Sequence, residues 1–147
     1  MKSIIFVCLG NICRSPIAEG CARKLVQESN LNITVASAGT GSWHVGEAPC
    51  PNSIEVCKNH NVNISKLKAA QFTKEDIGFY DLVVALDDSN YKDLKSMGVT
   101  KIVKLGSYGY NSDDVPDPYY FNGFEGFERV FTMIDECVSN LFKNEVI

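Results

Sequence analysis

The chain has 147 residues, 45% of them hydrophobic and 22% charged, with eleven glycines and five prolines; this suits one domain with a real core and excludes a disordered or repetitive chain. The net charge of −4 is uneven: residues 1–30 hold four basic and two acidic side chains, residues 111–147 two basic and eight acidic ones. That balance provides no broad basic surface for nucleic acid, and an anion has to bind locally, near the N-terminus.

Residues 4–7 form a short β-branched and aromatic run, closed by Gly10-Asn11, and predict a buried strand. Ser15-Pro16 then offers an N-cap hydroxyl and an N1 proline for a helix whose inner face is Ile17, Ala18, Cys21, Ala22, Leu25 and Val26. Residues 33–37 alternate as a second strand. Gly39, Gly41, Gly46 and Pro49 mark a long loop before a helix over residues 52–59. A short helix with an acidic first turn follows at residues 73–79.

"DLVVALD", residues 81–87, predicts a third strand, residues 89–96 a helix, and "KIVKL", residues 101–105, a fourth strand. Residues 106–123, rich in Gly, Pro, Asp and Tyr, read as a long loop, and Phe127, Val130, Phe131, Ile134, Val138 and Leu141 line one face of a terminal helix. This alternation predicts an α/β fold: a single three-layer domain over residues 1–147, with a four-stranded parallel sheet in order 2-1-3-4 flanked by helices. Ligands of such sheets bind beyond the carboxyl ends of the strands where the order reverses, which is the loop after strand 1.

That loop, within "FVCLGNICRSP", carries the chemistry. A loop entering a helix presents N–H groups that lack intrahelical partners, and the helix dipole adds positive charge, so an oxyanion is favoured there. Arg14 brings a guanidinium fork that matches two oxygens of a phosphate, and Gly10 allows the turn that aims N–H groups inward. The nucleotide-binding pattern G-x-x-x-x-G-K-[ST] is absent. The same field favours the thiolate of Cys8. Ser15 can donate its hydroxyl to that sulfur, and Asn11, tolerant of left-handed backbone, can pin the loop. Taken singly, Cys8 reads as a core thiol, Arg14 as a surface ion-pair residue and Gly10-Asn11 as an ordinary turn; their combination across a strand-to-helix junction carries the signal.

Residues 4–9 are too few and too soon interrupted for a signal peptide, and no segment is long enough to span a bilayer. A cytoplasmic protein is expected. Its six cysteines, at 8, 13, 21, 50, 57 and 137, lack paired C-x-x-C spacing, so mostly free thiols are expected, with neither a zinc site nor a disulfide scaffold.

C-x5-R-[ST] is the phosphate-binding loop of cysteine-dependent phosphatases. "VCLGNICRSPIAEG", together with "DPYY" at residues 117–120, resembles the low-molecular-weight protein tyrosine phosphatases. "SAGTGSWHVG" at residue 37, "TKED" at 73, "DDSN" at 87 and "LGSY" at 105 extend the likeness along the chain. The resemblance implies a phosphotyrosine hydrolase that needs no cofactor or metal. Cys8 would be the nucleophile, Arg14 the phosphate clamp and Asp117 the general acid and base. Leu9, Gly10, Ile12 and Cys13 would complete the phosphate loop, Asn11 and Ser37 would brace it, and Ser15 would ease departure of the thiolate. Trp43, Tyr119 and Tyr120 would wall the cleft, and Cys13 would form a reversible disulfide with Cys8.

The implied partners are phosphotyrosine proteins or peptides and phosphate-like oxyanions, with the enzyme a monomer or weak dimer. Residue chemistry agrees: a loop carboxylate such as Asp117 could protonate a phenolate leaving group, and Trp43, the sole tryptophan, lies in a polar loop where recognition is favoured over core. Two positions depart from the family pattern. Ala70 precedes Gln71 where a basic residue is usual, and Phe121 extends the DPYY loop.

Three other readings bear weighing. Arsenate reductases share the loop but need cysteines near the third strand, and residues 81–97 contain none. Protein arginine phosphatases resemble the loop with threonine in place of Ile12 and lack the second tyrosine of DPYY. A silent phosphoprotein-binding module would need neither Cys8 nor Asp117.

Overall fold

A computed structural model describes residues 1–121 and 123–146. Its sheet has four parallel strands: β1 (Ser3–Cys8), β2 (Thr34–Gly39), β3 (Leu82–Ala85) and β4 (Ile102–Lys104), in the order β2-β1-β3-β4. The helices are α1 (Arg14–Glu28), α2 (Pro51–Asn59), α3 (Lys74–Phe79), α4 (Asp88–Ser96) and α5 (Glu125–Glu145). This is the predicted architecture, and it follows from β1 being buried along its whole length. Its side chains alternate between two cores, as the period of a strand requires. Ile4, Phe6 and Cys8 join α1, α2 and α5 on one face, while Ile5 and Val7 join Phe72, Ile77 and Leu94 on the other. A side chain as large as Phe6, fully enclosed, contributes about 2–3 kcal/mol through burial.

Four boundaries differ from the sequence reading for physical reasons. Helix α1 begins at Arg14 with Cys13 at its N-cap, rather than with Ser15 as cap. The Ser15 hydroxyl is instead engaged by the Cys8 sulfur and the Asn11 amide, and Pro16 still falls in the first turn, where no N–H is required. Strand β3 stops at Ala85, because Asp87 turns to cap α4, its Oδ1 accepting from the Asn90 N–H at 2.8 Å. Beyond β4, Leu105–Ser107 tightens into a 3₁₀ turn, and a second such turn, Pro118–Tyr120, interrupts the long loop before α5.

The end of β1 is pressed against the end of β2. Cys8 pairs with Gly39, and a Cβ at Gly39 would lie 2.7 Å from the Leu9 carbonyl oxygen and 3.2 Å from the Asn11 nitrogen. Both are backbone atoms of the anion loop and cannot swing aside. Gly39→Ala should therefore displace that loop and destabilise the fold by about 1–3 kcal/mol. A denaturant titration and a phosphate titration should both shift; an unchanged phosphate affinity would show that the loop tolerates the extra carbon.

Candidate active site

The segment between β1 and α1 wraps around the Cys8 sulfur. Its tight point is Asn11, which takes the left-handed conformation at φ 58°; Gly10 supplies the room rather than the handedness, since a Cβ there would meet the His44 ring at 3.1 Å. The loop carbonyls are taken up from outside. Thr40 N–H donates to Cys8 O and Gly41 N–H to Leu9 O, each at 2.9 Å, Cys50 N–H to Ile12 O at 2.7 Å, and the Ser53 hydroxyl to Cys13 O at 3.2 Å. With those carbonyls committed outward, the N–H groups of Leu9, Gly10, Ile12 and Cys13 have no acceptor among the described residues and are free to meet an anion. The Asn11 N–H points at Cys8 Sγ at 3.3 Å, and Ser15 Oγ lies 3.0 Å from the same sulfur. Both contacts fix the sulfur at the base of the loop.

Asn11 is the brace. Its Nδ2 donates to Ser15 Oγ at 2.7 Å and to Ser37 Oγ at 2.9 Å, and its Oδ1 accepts from the Ala70 N–H at 2.9 Å. The Ser37 hydroxyl donates in turn to Glu19 Oε1 at 2.7 Å, and Glu19 is paired with Arg23. A buried polar network with each member engaged in this way holds a single geometry.

Arg14 is nine-tenths buried and anchored by one nitrogen, which donates to Asp87 at 2.7 Å and to the Val115 carbonyl at 3.0 Å. Burial works to lower its pKa, but the Cys8 sulfur, the Asp87 ion pair and the nearby Asp117 carboxylate outweigh that, and the guanidinium is held above its usual range. Sequence reading gave no role to Asp87 or Glu19. The signal for Asp87 was present, a carboxylate directly after the buried run of β3 and thus at the sheet's carboxyl edge.

Cys8, Leu9, Gly10, Ile12, Cys13 and Arg14 floor a cleft of about 190 Å³ whose walls are Trp43, His44, Asp117 and Tyr119. Asp117 Oδ1 accepts from the Tyr119 N–H at 2.9 Å, which fixes the carboxylate at the rim, and the Tyr119 ring meets Phe127 of α5 edge-on at 5.3 Å. Tyr120 is the exception to the sequence expectation. It turns into an adjoining hollow beside Asp87, Ser89 and Asn90 and is 84% exposed, because the 3₁₀ turn points consecutive side chains in different directions. A larger hollow of about 520 Å³ beside Ile54, Lys58, Val62 and Ser65 is lined by no cysteine and no carboxylate.

The sulfur pairing also differs. Cys13 is joined to Cys50, 37 residues on, with Cα atoms 5.4 Å apart, while Cys8, Cys21, Cys57 and Cys137 are free thiols. The expected partner, Cys8, stays unbonded because the loop brings Cys13 against the N-terminus of α2, where Cys50 N–H already binds the Ile12 carbonyl.

A phosphate cradle built over a cysteine, at the carboxyl edge of a doubly wound parallel sheet, places this chain among the phosphatases that work through sulfur. The model of the low molecular weight phosphotyrosine protein phosphatase family matches residues 3–146. A pig low molecular weight phosphotyrosine protein phosphatase is 41% identical over 145 residues, covering 92% of this chain and 90% of its own. The solved structure of a protein tyrosine phosphatase from Entamoeba histolytica superposes with a TM-score of 0.91 at 32% identity, covering 98% and 96% of the two chains. That of a Drosophila arginine phosphatase superposes at 0.92 with 31% identity, covering 100% and 99%. The chain belongs to the low molecular weight phosphotyrosine protein phosphatase family and is a cysteine-dependent protein tyrosine phosphatase.

Proposed function

We propose that Cys8 attacks the phosphorus of a phosphotyrosine seated in the 190 Å³ cleft, the reading supported above all by the cradling of its sulfur beneath Arg14 with Asp117 at the rim. In the first step a sulfur–phosphorus bond forms and the phosphorus–oxygen ester bond breaks, the phenolate oxygen taking the Asp117 proton. Arg14 and the free loop N–H groups hold the three equatorial oxygens as charge builds on them. In the second step water adds to phosphorus, gives its proton to the Asp117 carboxylate, and expels the Cys8 thiolate, which Ser15 and the Asn11 N–H receive. Asn11 and Ser37 keep the loop in shape; Trp43 and Tyr119 flank the substrate ring. Tyr120, lying outside the cleft, acts on the polypeptide around the phosphotyrosine rather than on its ring.

The Drosophila neighbour is an arginine phosphatase, so the test compares substrates. Ile12 in the floor and two aromatic walls favour a flat aryl ester over a guanidinium phosphate. With phosphotyrosine, phosphoserine and phosphoarginine peptides of one sequence, phosphotyrosine should be turned over at least tenfold faster than either other. Faster release from phosphoarginine would reassign the substrate. No helix among the described residues is long and apolar enough to cross a membrane, and we propose a cytoplasmic single-domain enzyme acting as a monomer or weak dimer.

A further inference from the structure

We propose that Cys50 is the terminal electron donor of a three-cysteine relay that reduces hydroperoxides at Cys8 and returns Cys8 to its working form. The relay rests on the reading of Cys8 as the nucleophile. One loop links three sulfurs: Cys8 and Cys13 line the same cleft, and Cys13 is bonded to Cys50 at the start of α2. No other thiol competes. Cys21, Cys57 and Cys137 do not line the cleft, and burial pushes their thiols up, to about 12 for Cys57 and about 11 for Cys137.

The chemistry runs in three balanced steps. The Cys8 thiolate attacks a hydroperoxide, forming a sulfenic acid and releasing hydroxide or alkoxide, so sulfur is oxidised and the peroxide bond reduced. Cys13 then attacks the Cys8 sulfur, a disulfide forms, and the sulfenic oxygen leaves as water. Finally Cys50 attacks the Cys13 sulfur, a Cys13–Cys50 disulfide forms, and Cys8 leaves as thiolate. In sum one hydroperoxide and two thiols give one disulfide, one water and one water or alcohol.

The direction of the last step follows from the surroundings of each sulfur. Cys8 is the better leaving group because its thiolate is met by the Asn11 N–H at 3.3 Å and by Ser15 Oγ at 3.0 Å. Cys13 and Cys50 are the N-cap residues of α1 and α2, 15 and 9 residues long, and a helix N-terminus favours the thiolate that each attack requires. The same fields stabilise the reduced pair, which makes the Cys13–Cys50 disulfide open to reduction by a dithiol. The relay's end product, Cys8 free and Cys13 joined to Cys50, is the state the structure holds.

The test starts from the fully reduced enzyme, freed of reductant and given one equivalent of hydrogen peroxide. Wild type should keep most of its phosphatase activity and yield the Cys13–Cys50 linked peptide. Cys50→Ser should lose at least fivefold more activity than wild type, yield a Cys8–Cys13 linked peptide, and recover with dithiothreitol. In Cys8→Ser the Cys13–Cys50 link should form at least tenfold more slowly. Equal inactivation of wild type and Cys50→Ser, a persistent Cys8–Cys13 peptide in wild type, or undiminished linkage in Cys8→Ser would each overturn the relay. Activity before peroxide reports separately on the nucleophile, and the wild-type peptide map needs no variant to fold.

Discussion

Cys8→Ser should reduce turnover on the order of 10⁶-fold while leaving phosphate bound, because the groups that hold the anion are not the group that attacks it. The free N–H groups of Leu9, Gly10, Ile12 and Cys13 stay in place as long as their carbonyls remain tied to Thr40, Gly41, Cys50 and Ser53. The change of one sulfur for one oxygen disturbs none of those ties, and Arg14 keeps its anchors on Asp87 and Val115. A neutral hydroxyl is a poor nucleophile here, with Ser15 too committed to Asn11 to serve as its base. Affinity should rise, since a negative sulfur no longer repels the dianion above it. Trp43, 70% exposed at the cleft wall, gives a fluorescence signal for a phosphate titration beside the turnover assay. Turnover within a hundredfold of wild type would remove the nucleophile role from Cys8. Loss of phosphate binding would mean that the sulfur shapes the loop.

What the sequence discloses about this site is what depends on neighbours along the chain. The period of residues 4–7 and of the α5 face placed β1 and α5, and the strand–helix alternation placed the anion loop at the reversal of strand order. Asn11 as the left-handed residue was legible because few side chains accept that backbone. Contacts made across the fold were not. Cys13 and Cys50 are 37 residues apart, and nothing local to either marks the other; the expectation of a Cys8 partner came from family likeness. The close approach that requires Gly39 exists only once β2 lies beside β1, and in the sequence Gly39 was merely one of several loop glycines. Tyr119 and Tyr120 look equivalent until the 3₁₀ turn sends one to the cleft and one away. The N-cap misplaced at Ser15 has the same origin, since its hydroxyl answers to a sulfur seven residues back rather than to the helix it opens.

Asp117→Ala should cost roughly 10²- to 10⁴-fold with phenyl phosphate and far less with an aryl phosphate whose leaving group is strongly activated. The acid matters in proportion to the basicity of the departing oxygen: phenolate must be protonated as the ester bond breaks, whereas a nitro-substituted phenolate can leave bare. The geometry assigns this task to Asp117 and not to another carboxylate. Asp87 is occupied twice, by Arg14 and by the Asn90 N–H, and Asp114 is held by Lys104 and the Asp88 N–H, outside the cleft wall. Asp117 spends only Oδ1, on the Tyr119 N–H, and no partner for Oδ2 occurs among the described residues. The turn that carries it is pinned to α5 through the Tyr119–Phe127 contact, so removal of the carboxylate leaves the wall standing and the comparison clean. Asp117→Asn sharpens the experiment, because an amide keeps the size and the Tyr119 contact but has no acidic proton to transfer. Both variants should show the same steep dependence of rate on leaving-group acidity. Equal losses with the two aryl phosphates would mean that Asp117 positions the substrate, and the proton would have to come from elsewhere.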